Sequence, residues 1–342
     1  MKKTNEKRYV VFVSLTGDQQ IKCYDLDLNS GTLELRSTSN AHGPAGALYL
    51  HPSGKVMLIA HVESTTLASF RLDTSSGRLA LINKINTGID IPAHLITDCT
   101  GRFLLTAYYG GGGVTVHRLG DDGTIDEQIQ YIDTGEKAHA IHAVDEDRFV
   151  FVPHVCPTNK TSQFRFDCKS GLLSPNDLAE LSPPDDQTGP RHICFRPQGD
   201  VAYIVNEQGN TVTAHRYDAK TGTLKIFQNI STLPPNYTEG GATAHVEVHP
   251  NGKWVYASNR GHDSIAAYRI GKAGKLTLVE IIPSLGKGPQ NLAVTPDGRH
   301  LICANMPSNN VVIFQIDGKS GKLSVSGDPI EIPSPSCIMI VP

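Results

Sequence analysis

The chain of 342 residues carries little net charge, with 31 basic against 34 acidic side chains and a formal −3 when histidine is neutral. No global field of that size gathers nucleic acid or an acidic membrane surface, so neither is expected as a partner. Long apolar runs are missing too. The stretch Tyr9 to Leu15, behind a lysine-rich start, is too short for a bilayer helix, and no small-residue cleavage site accompanies it. The sequence therefore predicts no signal peptide, no membrane span and a cytoplasmic location. Its seven cysteines have neither metal-ligand nor disulfide-framework spacing. That fits a reducing compartment, where they serve as small apolar side chains. There is no long helical periodicity and no Gly-x-Ser-x-Gly nucleophile motif. Gly110 to Gly113 lacks the Gly-Lys-Ser/Thr ending of a phosphate loop and reads as a hairpin turn.

What is there is a repeat. The stretches GPRHICFRPQGDVAYIVNEQGNTVTAHRYD from Gly189 and ATAHVEVHPNGKWVYASNRGHDSIAAYRI from Ala242 share one pattern, and Gly43 and Gly288 open two further copies. Each reads as apolar strand, Pro-x-Gly turn, apolar strand, polar turn and alternating strand, most closed by Gly-x-Leu. The turn positions Gly54, Gly101, Asp147 (a degenerate copy), Gly199, Gly252 and Gly298 lie about 46 to 53 residues apart, at the long end of the propeller-blade range. A unit of this length cannot bury its own faces, so copies must stack. Tyr9 to Val13 matches a second strand, and Pro335 to Val341 resembles the opening strand that the first copy lacks. The expected fold is an all-β, seven-bladed β-propeller of four-stranded antiparallel blades. Its C-terminal strand completes the N-terminal blade, which removes exposed sheet edges. One propeller domain is expected over 8–342, with 1–7 as an N-terminal extension.

Aligning the blades separates what every copy keeps from what one copy changes. At the mouth of the opening strand, blades two to seven carry Gly46, Ala93, His139, Arg191, Ala244 and Gln290. The next column holds Ala47, His94, Ala140, His192, His245 and Asn291, and the one after the second strand holds Val62, Tyr109, Val155, Glu207, Arg260 and Met306. Small residues are common in the first column, so the blade does not require Arg191. Glu207 and Arg260 replace apolar or aromatic residues in adjacent blades. An interblade salt bridge would explain them, but such pairs are often neutral or costly for stability. Two guanidiniums bind an anionic group or stabilise an oxyanion, while a carboxylate and an imidazole exchange a proton with water or substrate. His139, Arg191, Glu207 and Arg260 are therefore the candidate catalytic residues. His192, Asn206, Asn259 and His262 are candidates for substrate binding, although asparagine before the polar turn also suits the turn backbone. The column His94, His192, His245 could be read as a zinc triad, but no carboxylate or cysteine in it supports that reading. His249 repeats the His-Pro turn of His51, a structural position. Neither metal nor other cofactor is expected.

At these residues the chain resembles the seven-bladed propeller lactonases, which include bacterial 6-phosphogluconolactonases and fungal carboxy-cis,cis-muconate cyclising enzymes. The resemblance runs from about Tyr9 to Val341 and is closest at Gly189 to His192, Val205 to Gln208 and Ala257 to Ile265. It implies that His139, Arg191, Glu207 and Arg260 form a channel-mouth site. It also implies a carboxylic-ester hydrolase acting on a small anionic sugar-acid lactone, foremost 6-phosphogluconolactone in the pentose phosphate pathway. A muconate-type cycloisomerase and a non-enzymatic binding propeller are the alternatives. Two departures bear on the anionic tail of a substrate: Gln290, where many relatives have arginine, and His154 with the inserted Cys156 to Lys160, where many have Val-Pro-Asp.

Overall fold

The computed structural model describes residues 9–144 and 146–341, which form seven antiparallel sheets. The expected extension, 1–7, and residue 8 at the start of the expected domain lie outside the described residues. In the first blade the strand order is Pro335–Val341, Tyr9–Leu15, Gln20–Asp27, Thr32–Asn40. The last strand of the chain thus supplies the opening strand of the first sheet, in a register that pairs Val10 with Val341 and Ser14 with Cys337. The ring closes as the repeat predicts.

Two blades depart from the common plan. The opening strand of blade four is only His142–Val144, so His139 precedes it, just after an isolated bridge between Ala138 and His154. The outer strand of blade seven is split into Leu323–Val325 and Ile330–Glu331, both paired to Asn310–Ile316. The described residues include a single turn of helix, Lys272–Gly274.

The second strands, such as Phe103–Tyr108 and Val201–Asn206, are buried along their whole length. Both faces of a blade pack against neighbouring blades, so their apolar runs need no alternation. The core lies between blades. Phe103, Leu105 and Val116 of blade three meet Val150, Val152 and Phe164 of blade four in one cluster, each burial stabilising by roughly 1.5–3 kcal/mol.

Polar side chains, mostly amides, tie each of the first six blades to the next. Asn83 bonds both backbone groups of Ile125 at 2.9 and 3.0 Å. Gln130 does the same to Leu173 at 2.9 and 2.7 Å, and Gln228 to Leu276 at 2.8 and 2.7 Å. Single bonds to Leu79, Leu224 and Leu323 from Ser39, Gln163 and Glu280 continue the series. The recurring turn-closing Leu is therefore a docking point for the preceding blade. A second tie runs through the His-Pro turns, where Nε2 of His51 and of His249 meets the carbonyls of Gly101 and Gly298 at 2.8 and 2.9 Å. A Cβ at Gly101 would lie 2.1 Å from that imidazole, and its φ is +74°, so the repeat's glycine answers both to the turn and to the neighbouring blade.

Candidate functional site

The opening strands of blades two, three, five, six and seven each carry a register shift at their mouth. In blade five Pro190 pairs with Asn206 and His192 with Val205, so Arg191 is the extra residue of a bulge. In blades three and seven, Ala93 and Gln290 hold the same place. Neighbours along a regular strand point to opposite faces, whereas a bulge re-aims one of them. Arg191 and His192 consequently both line a central cavity of about 540 Å³, as do Ala93 with His94 and Gln290 with Asn291.

Arg191 is 1% exposed. Its Nη1 donates to the carbonyl of Ala244 in the next blade. Its Nε lies 2.8 Å from Oε2 of Glu207, an ion pair whose N–H is not aligned as a hydrogen bond. Arg260, from blade six, donates through Nη2 to the same Oε2 at 2.7 Å and through Nε to the carbonyl of Ala242 at 3.2 Å. Its Nη1 has only a long contact, 3.5 Å, with Oε1 of Gln290. Oε1 of Glu207 accepts from Nε2 of Gln208 at 3.2 Å. Burial, followed by the charge of Arg260, pulls Arg191 down to about 9 against the opposing pull of Glu207, which leaves it a cation at neutral pH.

His139 stands beside this cluster, its ring 5.5 Å from that of Tyr109 and 5.1 Å from that of His192. Burial, then Arg191 and more weakly Arg260, holds it well below the ordinary histidine range, so the imidazole is neutral. Its Nδ1 is buried without a hydrogen-bond partner. His192 is held down by burial, Arg191 and then His245. It packs on His245 at 4.8 Å and on His94 at 5.7 Å between ring centroids. Among the described residues no group of three or more His, Cys, Asp or Glu side chains is arranged to hold a metal ion.

His139, Arg191, Glu207, Arg260 and His192 are thus brought together on the cavity wall. The other three candidates are placed elsewhere. Asn206 bonds Thr211 Oγ1 at 2.9 Å inside its blade. Asn259 reaches back to the carbonyl of Thr232 at 2.8 Å and to Ser264 at 3.1 Å. His262 bonds Ser264 and packs edge-on against Tyr237 at 4.5 Å. None of the three lines the cavity. His154 occupies the asparagine position and bonds Thr134 Oγ1 at 2.8 Å, so it too belongs to the blade, whereas Gln290 faces Arg260. Two residues of the site go beyond the sequence reading. Glu247 lines the cavity, with Oε2 3.6 Å from Nε2 of His245; their i, i+2 spacing on one strand was the available signal. Gln208 couples Glu207 to the inserted segment by also accepting from the Cys156 amide at 3.3 Å, a contact no spacing announces.

Comparison with known proteins agrees with this fold. The family model described as "Lactonase, 7-bladed beta-propeller" matches residues 7–340. The chain is 30% identical over 323 residues to a 6-phosphogluconolactonase of Formosa agariphila, covering 89% of this chain and 90% of that one. It is 28% identical over 281 residues to a 6-phosphogluconolactonase of Bacillus subtilis, covering 80% and 79%. Among solved structures, the periplasmic gluconolactonase PpgL of Pseudomonas aeruginosa superposes with a TM-score of 0.91 at 23% identity, over 98% of this chain and 99% of that one.

Proposed function

The chain belongs to the seven-bladed β-propeller lactonase family, and from that premise we propose that it hydrolyses 6-phosphogluconolactone to 6-phosphogluconate at the cluster of His139, Arg191, Glu207 and Arg260. The observation that carries the reading is the pair of guanidiniums on Glu207 Oε2, set beside a neutral imidazole on a cavity wall. Oε2 already accepts from one arginine and pairs with the other, so Glu207 serves as their anchor. The water proton goes to His139.

Water adds to the ring-ester carbonyl as His139 takes its proton. The carbonyl oxygen becomes an oxyanion, held by N–H groups of Arg191 and Arg260 that Glu207 keeps in place. Collapse of the adduct breaks the ring C–O bond. The imidazolium, made acidic by burial and two nearby arginines, returns its proton to the departing ring oxygen. The product acid then ionises.

The same two cations suit a dicarboxylate, which makes a muconate-type diacid the competing substrate. The test is proton release from fresh 6-phosphogluconolactone, with spontaneous hydrolysis subtracted and chelator present, beside loss of a muconate chromophore. Release that disappears in Arg260→Ala supports the lactonase; turnover of the diacid alone overturns it.

The location we propose is the cytoplasm. All seven cysteines are free thiols, as suits a reducing compartment. Among the described residues no helix is long and apolar enough to cross a membrane. On this reading the enzyme belongs to carbohydrate metabolism, in the pentose phosphate pathway.

A further inference from the structure

The arginine and carboxylate side chains of the cavity wall are Arg191, Arg260, Glu207 and Glu247, two cations against two anions. Both arginines are drawn to Glu207. His94, His139 and His192 are kept from charging by burial. The wall thus carries two arginines for an oxyanion, and neither a third arginine nor a lysine for a phosphoryl group at the far end of the substrate.

A further cation stands at its rim. Lys137, two residues before His139, holds Nζ 4.2 Å from the ring centroid of Tyr109, and Tyr109 lines the cavity with its ring against His139. The backbone of Lys137 is fixed on both sides: its amide donates to the carbonyl of Tyr109 at 2.9 Å, and its carbonyl accepts from Val155 at 3.1 Å. It adopts a left-handed φ of 63°, a conformation few non-glycine residues hold without such bonds. Among the described residues no carboxylate forms an ion pair with this ammonium. Contact with a ring face leaves its N–H donors available to an anion.

We infer that Lys137, steadied on Tyr109, is the specificity-determining residue that receives the phosphoryl group of the substrate. This rests on the lactonase reading for the identity of the substrate but makes a separate claim about anion recognition. The lactone carbonyl sits toward Arg191 and Arg260, and the phosphorylated end extends past His139 and Tyr109 to Lys137.

The test uses the stable hydrolysis products, so it does not depend on turnover. Calorimetric titration compares 6-phosphogluconate with gluconate on the whole protein, its Lys137→Met variant, which keeps an apolar chain over Tyr109, and its Lys137→Arg variant. The expected result is preference for the phosphorylated acid, a loss of roughly tenfold or more in its affinity in Lys137→Met, retention in Lys137→Arg, and gluconate affinity within about twofold throughout. Equal weakening of both acids in Lys137→Met would assign Lys137 a structural role and overturn the inference. Unchanged affinity for 6-phosphogluconate, or no binding of either acid to the unaltered protein, would overturn it as well. If phosphate preference tracks Lys137 while no lactone is hydrolysed, the inference stands and the functional reading falls.

Discussion

Arg191 and Arg260 converge on one atom, Oε2 of Glu207, at 2.8 and 2.7 Å. They come from adjacent blades, so the contact is both an interblade joint and the centre of the site. Like charges this close are tolerable only because a carboxylate lies between them, and removing any one member changes the situation of the other two.

Arg260 is the more accessible arginine, its side chain 28% exposed against 2% for Arg191. Arg260→Ala should lower kcat/KM by about 100- to 1,000-fold, the usual cost of an oxyanion donor, with little change in Tm. Arg191→Ala should lose as much activity and also about 1–3 kcal/mol of stability, because the buried carbonyl of Ala244 loses its donor while Glu207 keeps Arg260. Steady-state kinetics beside denaturant unfolding separates the two. Wild-type turnover in both variants would mean that the reaction happens elsewhere.

Glu207→Gln should leave the fold intact but release the two guanidiniums from their shared anchor. Its loss of activity should not add to that of Arg260→Ala. Coupling of about 1–3 kcal/mol is expected in a double-mutant cycle of kcat/KM. Strict additivity would show that Glu207 acts independently of the arginine.

Six histidines, His94 and His142 half-buried and the others buried, lie far below the ordinary value of 6.5: His94 and His215 at about 3, and His61, His117, His142 and His154 at about 4. Burial is the leading cause in every one. The unfolded chain binds protons at these rings before the folded chain does. Stability is therefore full above about pH 6.5 and falls as pH drops through the window from 6.5 toward 4, by about 1.4 kcal/mol per pH unit for each ring. The unfolding free energy measured across that range should show uptake of several protons at once. His139 is depressed too, so kcat/KM, corrected for spontaneous hydrolysis, should show no inflection near pH 6.5.

Gln228→Leu removes both bonds to the backbone of Leu276 without touching the cavity. A loss of about 1–3 kcal/mol is expected from unfolding curves, with kcat unchanged. A matching loss of activity would show that blade spacing is transmitted to the site.

The ring was legible in the sequence because the blade repeat recurs in register, even through the degenerate Asp147 turn. The channel columns were legible for the same reason: Arg191, Glu207 and Arg260 break a pattern that the other blades define. Less legible was how neighbours such as Arg191 and His192 face the same cavity. A bulge is a pairing between strands, and the sequence of one strand does not display it. Asn206 and Asn259 show the converse. Their recurrence was visible, but only the bonds to Thr211 and Ser264 place them inside their blades. Lys137 stands two residues before the mouth column, where the other blades carry Pro44, Ile91, Gly189, Ala242 and Gly288, a departure outside the three columns compared.

The amide clamps between blades address peptide groups. Asn83, Gln130 and Gln228 recognise an N–H and a C=O that every residue but proline provides. Ring assembly is thus largely indifferent to which side chains face the channel. Substitutions there can accumulate without loosening the circle, and one chassis can be refitted for new substrates a column at a time.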